Sequence, residues 1–364
     1  MPKLGEKAAS AVWSPRICDD LKRWSNRKLG IDRAIAFNIL ARGWSSVAGL
    51  VTVALIARFL TPQQQGYYYT FGSLIALQII FELGFSLVIL QMASHERAHL
   101  TISADGQVTG DLVAHSRLAS VLQRTVKWYS SGALLLAISL LVAGFHFFRA
   151  HRGLDDHVSW QAPWIFAVLA ATLTFQLDPI LSFMEGCGFV SNVARLRLIQ
   201  AASGSICAWL VLFFHKGLFA PGTIIFANAV GAIFWLSRRK TLLLSLLRFN
   251  SGPHKIGWAR EVWPFQWRIA LSWLCGYLIF QLYTPVLFAY HGAAVAGQMG
   301  MSLSLANALL SVSISWINTK AAPFGALVAR KEYTELDHIF FRALWQSLGV
   351  CIAGIVCVWA GVLY

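Results

Sequence analysis

Apolar and polar positions along this chain alternate between long hydrophobic runs and short charged breaks. Nine runs stand out, near residues 35–58, 67–91, 128–148, 164–184, 197–215, 219–237, 265–289, 296–318 and 343–363. A helix that crosses the bilayer needs about 17 to 25 mostly apolar residues. Each run therefore predicts a transmembrane helix, and together they predict an all-α, polytopic membrane helix bundle of about nine spans. Spans three, five, six and nine are the cleanest. Spans two, four, seven and eight are the most interrupted by polar residues.

Charge adds an orientation. The chain has 364 residues, 57% of them hydrophobic, yet its formal net charge is +14. Of its 30 Lys and Arg, 25 fall in the N-terminal leader and in every second break. Basic residues stay on the cytoplasmic side of short loops, so this pattern predicts a cytoplasmic N-terminus and places Tyr364 outside. The same topology accounts for nearly all the basicity, which removes the nucleic-acid partner that a pI near 9.8 would suggest for a soluble chain. Leader 1–34, with Trp24, lacks the apolar core and cleavage site of a signal peptide and reads as a basic interfacial segment. The predicted layout is a six-helix lobe over 35–237, a basic cytoplasmic linker over 238–264 and a partial, three-helix second lobe over 265–364. Cys18, Cys187, Cys207, Cys275, Cys351 and Cys357 form no CxxC motif and no Cys/His cluster, so neither a metal, a cofactor nor a disulfide framework is predicted.

Polar residues inside the spans are the candidate chemistry, because such groups are costly in a bilayer and face the bundle interior or a wet cavity. Span one carries Asn38, Arg42, Ser45 and Thr52 close to one helical face. Span two carries Gln78, Glu82 and Ser86 at four-residue steps. Span four carries Thr174, Asp178, Ser182 and Glu185, with Pro179 placed to break the helix. In span eight Ser304, Asn307, Ser311, Ser315 and Asn318 form a stripe that ends near Lys320. A serine and amide stripe serves interhelical bonding as readily as cavity lining. Arg42 lies too deep to snorkel and has two readings, a partner for Glu82 or a cavity cation. A shift of 231 residues sets Gly66 on Gly297 and Ser73-Leu74 on Ser304-Leu305, a faint sign of duplication.

The segment Arg58-Phe59-Leu60-Thr61-Pro62-Gln63-Gln64-Gln65-Gly66-Tyr67, then Phe81-Glu82-Leu83-Gly84 and Gln91-Met92-Ala93-Ser94-His95-Glu96, resembles the first loop and second helix of bacterial polysaccharide flippases of the Wzx type, in the MOP exporter superfamily. Met184-Glu185-Gly186-Cys187-Gly188 with Arg195-Leu196-Arg197 is similar to the loop after that family's fourth helix. Gly300-Met301-Ser302-Leu303-Ser304-Leu305 and Lys320-Ala321-Ala322-Pro323 are similar to its eighth-helix region. The resemblance implies two lobes rocking around a basic central cavity in the bacterial inner membrane. It also implies translocation of an undecaprenyl-diphosphate-linked oligosaccharide for O-antigen or other surface polysaccharide. Arg matches phosphate oxygens with forked hydrogen bonds. Arg42, Arg268 and Lys320 are then the candidate diphosphate contacts, Asn38, Asn307 and Gln78 candidate cavity amides, and Glu82 and Asp178 candidate pairing or ion-coupling carboxylates. The family normally has twelve or more spans, so the expectation is either a shortened product or a variant that works with other polysaccharide-assembly proteins or by self-association. Three other functions compete with flipping: a MATE-like cation antiporter, a membrane polymerase or glycosyltransferase, and a non-transporting scaffold. An enzyme is not predicted, since Asp155-Asp156 has no accompanying nucleophile, metal cluster or phosphate-cradling glycine loop.

Overall fold

Helix α1 (Arg33–Phe59) is followed by a span in three pieces, α2 (Pro62–Ile75), α3 (Gln78–Glu82) and α4 (Phe85–Arg97). A β-hairpin, β1 (Leu100–Ile102) and β2 (Val108–Gly110), leads into the 39-residue α5 (Leu112–Ala150). Then come α6 (Gln161–Met184), a π-helical turn (Glu185–Phe189), α7 (Val190–Phe213), α8 (Ala220–Ser237), α9 (Lys240–Arg248), α10 (Trp263–Phe280), α11 (Tyr283–His291), α12 (Ala293–Thr319) and α13 (Tyr333–Leu363). The computed structural model describes residues 33–82, 84–103, 106–151, 158–249, 263–319, 324 and 332–363. Trp24, Asp155, Asp156 and Lys320 lie outside the described residues, as do the side chains of Ser315 and Asn318.

Among the described residues, seven helical runs are long and apolar enough to cross a membrane, and the bent pair Pro62–Glu82 with Phe85–Arg97 makes an eighth. One run, Gln161–Phe213, is 53 residues long. It folds back on itself, since Phe166 near the start of α6 packs on Phe219 beyond the end of α7, ring centroids 6.0 Å apart. Taken as two spans, it brings the total to the nine that the apolar runs predict. The protein is an all-α polytopic membrane helix bundle.

The starts of the spans follow from capping chemistry. Thr61 caps α2 through a capping box, in which its hydroxyl accepts from the Gln64 amide and its own N–H donates to Gln64 Oε1 at 3.1 Å. Pro62 then sits at the first turn, where its missing N–H costs nothing. Span two therefore begins at residue 62, not 67. Asp111 caps α5 by accepting from the amides of Val113 and Ala114, so α5 begins about four turns before the predicted apolar run.

On α5 the buried positions Tyr129, Ala133, Leu136, Leu140, Gly144 and Phe148 recur every three or four residues, the spacing of one helical face. They meet Trp160, Trp164, Phe71 and Tyr67, with Trp164 seated against Gly144. Leu134, Leu135, Ile138 and Val142 on the opposite face are more than half exposed, as a lipid-facing surface requires. Pro179 does not break its span: α6 runs through it to Met184, and the chain turns at Gly188, whose φ of 97° favours glycine. The turn is pinned to α4 because Gly186 lets the backbone carbonyl of Leu90 approach to 2.5 Å from where a Cβ would sit. Next to it, Arg97 Nε donates to the Cys187 carbonyl at 3.3 Å, and the buried Glu96 accepts from Arg117 Nε at 2.7 Å.

Helix α12 packs along α2 and against α1, which sets it across the first lobe. The crossing with α2 is built from small residues. A Cβ at Gly66 would overlap the backbone of Ala293, and one at Gly297 would lie 2.8 Å from the Gly66 nitrogen and 2.9 Å from the Pro62 oxygen. Gly300 in turn receives the Tyr69 side chain. Pro62, Gly66 and Tyr69 are the residues that a 231-residue shift places on Ala293, Gly297 and Gly300. Residue i meets the copy of j while j meets the copy of i, the reciprocal pattern of contacts across a two-fold axis. Positions related by the 231-residue shift thus meet one another at this crossing.

Candidate functional site

A cavity of about 1290 Å³ lies between α1, α2, α6, α7 and α8 on one side and α12 on the other. The walls on the first-lobe side are stitched by side chains that reach across helices. Trp44 Nε1 donates to Ser205 Oγ and Trp209 Nε1 to Thr52 Oγ1, each at 2.9 Å, joining α1 to α7. Thr174 Oγ1 donates to the Ile225 carbonyl at 3.2 Å, and Gln200 Nε2 to the Asn228 carbonyl at 2.7 Å. These bonds hold α6, α7 and α8 in register.

Into this frame α1 projects Asn38, Arg42, Ser45 and Thr52, and α12 projects Ser304, Asn307 and Ser311. The stripes read from spans one and eight therefore face one cavity. In span four Thr174 and Asp178 join them, whereas Glu185 instead pairs with Arg197, its Oε2 3.5 Å from Nη2.

Two expectations about cations and carboxylates change. Arg42 does not pair with Glu82. Glu82 accepts a hydrogen bond from Ser86 at 2.8 Å and lies outside the cavity wall. The break on either side of α3 is the reason, since the bend carries Gln78 and Glu82 away from α1. Gln78 is outside the wall for the same cause. Arg42 is exposed, and among the described residues its guanidinium engages no carboxylate. Arg268 is also exposed, beside the ring of Trp267 at 5.7 Å, and does not line the cavity.

The wall also contains residues that the apolar runs concealed. Arg197, Gln200 and Ser205 come from α7, Asn228 from α8, and Tyr68 and Tyr69 from α2. Spans five and six read as clean, yet Gln200 and Asn228 are amides within them, and Arg197 follows Asp178 by about five turns of chain folded back through the hairpin. Asp178 lies within electrostatic range of both Arg197 and Glu82. Asn228 Oδ1 is buried without a hydrogen-bond partner among the described residues, and the buried Tyr69 hydroxyl is directed to Ser304. The cavity thus combines a cation with no carboxylate partner among the described residues, a cation shared with carboxylates, a carboxylate, and a lining of amides and hydroxyls. Such a surface suits a hydroxyl-rich anionic headgroup. No protein-family model, curated protein or solved structure matches the chain.

Proposed function

We propose that this protein is a flippase-like carrier of the bacterial inner membrane, oriented with its N-terminus in the cytoplasm, which moves an undecaprenyl-diphosphate-linked oligosaccharide across the bilayer for surface polysaccharide assembly. The observation that carries the reading is Arg42: a cation about two and a half turns into α1, with no carboxylate partner among the described residues, facing a cavity whose polar lining is mostly amides and hydroxyls. An unpaired charge in a span is costly unless a ligand or water satisfies it, and a diphosphate is the matching ligand.

In this reading the headgroup enters beside Asn38 and Arg42 while the polyprenyl chain stays in lipid. The α2–α12 crossing closes the far end of the cavity. Rocking of α12 and its neighbours against the first lobe opens that end and releases the headgroup. The resemblance of the Thr61–Tyr67 and Gly300–Leu305 segments to Wzx-type flippases supports the same direction. Asp178 favours one alternative, a cation antiporter, because a carboxylate in the wall would hold a cationic cargo; its proximity to Arg197 argues against that use.

Deletion in the native host tests the proposal. Lipid-linked oligosaccharide should accumulate and surface polysaccharide should fall. Unchanged levels of both would refute it.

A further inference from the structure

The cavity is polarised along its length. Its lower end, at the N-terminal half of α1, holds Arg42 and Arg197, with Asp178 beside them on α6. Toward the other end, where α1 gives way to α2, no described wall residue is charged. Thr52 stands ten residues beyond Arg42, about 15 Å along the helix axis, and faces the same space as Tyr68 and Tyr69. The two tyrosine rings are set edge to face, 5.2 Å apart. The Tyr69 hydroxyl in this wall is directed to the Ser304 hydroxyl of α12, while Asn228 Oδ1, which lacks a hydrogen-bond partner among the described residues, sits lower, where the Asn228 backbone carbonyl meets Gln200 one turn from Arg197.

We infer that the upper half of the cavity is a subsite for an uncharged sugar, packed on the Tyr68–Tyr69 pair, and that it rejects sugars bearing a carboxylate. This rests on the transport reading and adds the orientation and the charge of the glycan. The diphosphate stays at Arg42 while the sugar residues extend upward. Hydroxyls of a neutral sugar share hydrogen bonds with the Tyr69 and Ser304 hydroxyls, and its C–H face covers an aromatic ring, whose negative face attracts such hydrogens. A carboxylate in the same place would lose its water with no cation among the described upper wall residues to replace it, a costly burial.

The test is binding to the full chain in lipid nanodiscs, with four probes: inorganic pyrophosphate, a short-chain prenyl diphosphate, the same lipid carrying an N-acetylhexosamine disaccharide, and that lipid with its terminal sugar oxidised to a hexuronic acid. The neutral glycolipid should bind at least about tenfold more tightly than the uronic one. Tyr68→Ala should erase the advantage of the disaccharide over the bare prenyl diphosphate, whereas Tyr68→Phe, which keeps the ring, should retain it. Thr52→Arg should bring the uronic probe to parity. Equal binding of the neutral and uronic probes, or a Tyr68→Ala variant that matches Tyr68→Phe, would overturn the inference. Arg42-dependent binding of pyrophosphate with no gain from either sugar would sink the subsite alone. Failure of every phosphate probe to bind would sink the transport reading with it.

Discussion

Alanine at Gly66 is the sharpest structural test of how the two halves of the molecule meet. The added Cβ would sit 2.5 Å from the Ala293 carbonyl carbon and 2.8 Å from its Cα, and closer still to its oxygen. Ordinary contact between such atoms is about 3.5 to 4.0 Å, so α2 and α12 must separate by roughly 1 Å. The obstacle is backbone and has no rotamer to escape into. Overpacking of this kind costs about 1 to 3 kcal/mol, set against a gain of under about 1 kcal/mol in helix propensity. A net loss of about 1 to 2 kcal/mol is expected for Gly66→Ala. Gly297→Ala, whose Cβ would be 2.8 to 3.0 Å from its neighbours, should lose less. Because both act on one interface, the double variant should lose less than the two singles combined. Gly72, on the same helix with nothing within 4 Å of its Cβ position, is the control and should be neutral or stabilised. Unfolding midpoints in mixed detergent and SDS micelles read these differences. A Gly66→Ala variant as stable as Gly72→Ala would refute the close crossing, and with it the two-fold contact between equivalent positions.

Other sites give independent outcomes. Arg117→Met removes the 2.7 Å partner of the Glu96 carboxylate, only 6% exposed, and leaves it His95 at 3.6 Å, so it should destabilise by about 3 kcal/mol; Glu96→Gln leaves a partly exposed Arg117 and should cost about half as much, both read by the same unfolding assay. Gly188→Ala meets no atom within 4 Å but requires φ near 97°, so its loss of about 1 kcal/mol should be pure backbone strain, unrelieved by trimming neighbours. Gln123 Nε2 donates to the carbonyls of Leu246, Leu247 and Phe249, and Gln123→Ala should speed tryptic cleavage at Arg248 severalfold by freeing the end of α9.

Much of this architecture is legible in the chain itself. Apolar run length gives the number and approximate place of the spans because lipid demands a fully bonded backbone, which a single segment supplies by itself only as a helix. Span ends are less visible from hydropathy, since α2 and α5 start at a capping Thr61 and Asp111 in polar sequence rather than at their first apolar residues. The hairpin between Leu100 and Gly110 escapes a hydropathy reading because its strands are only three residues long. At the cavity, a residue is legible when its helix is straight and its polar face faces inward, as with Asn38, Arg42, Ser304 and Asn307. Gln78 and Glu82 mislead because the span breaks around them, which no four-residue periodicity can reveal. Gln200 and Asn228 are hidden for the opposite reason. They are the single amides of the apolar runs 197–215 and 219–237, and only the packing of α7 on α8 turns them to the same space. Pro179 is a weaker breaker than Gly188, since a helix accommodates a missing N–H more easily than a positive φ.

The central claim is that Arg42 holds an anionic headgroup in transit. Replacing it by alanine in the native host, at matched protein level in the membrane, tests this most directly, with lipid-linked oligosaccharide measured on each leaflet. The account predicts that the glycolipid accumulates on the cytoplasmic leaflet and surface polysaccharide is lost, with Arg42→Lys retaining part of the export because the charge survives without the fork. Normal surface polysaccharide in Arg42→Ala would contradict it.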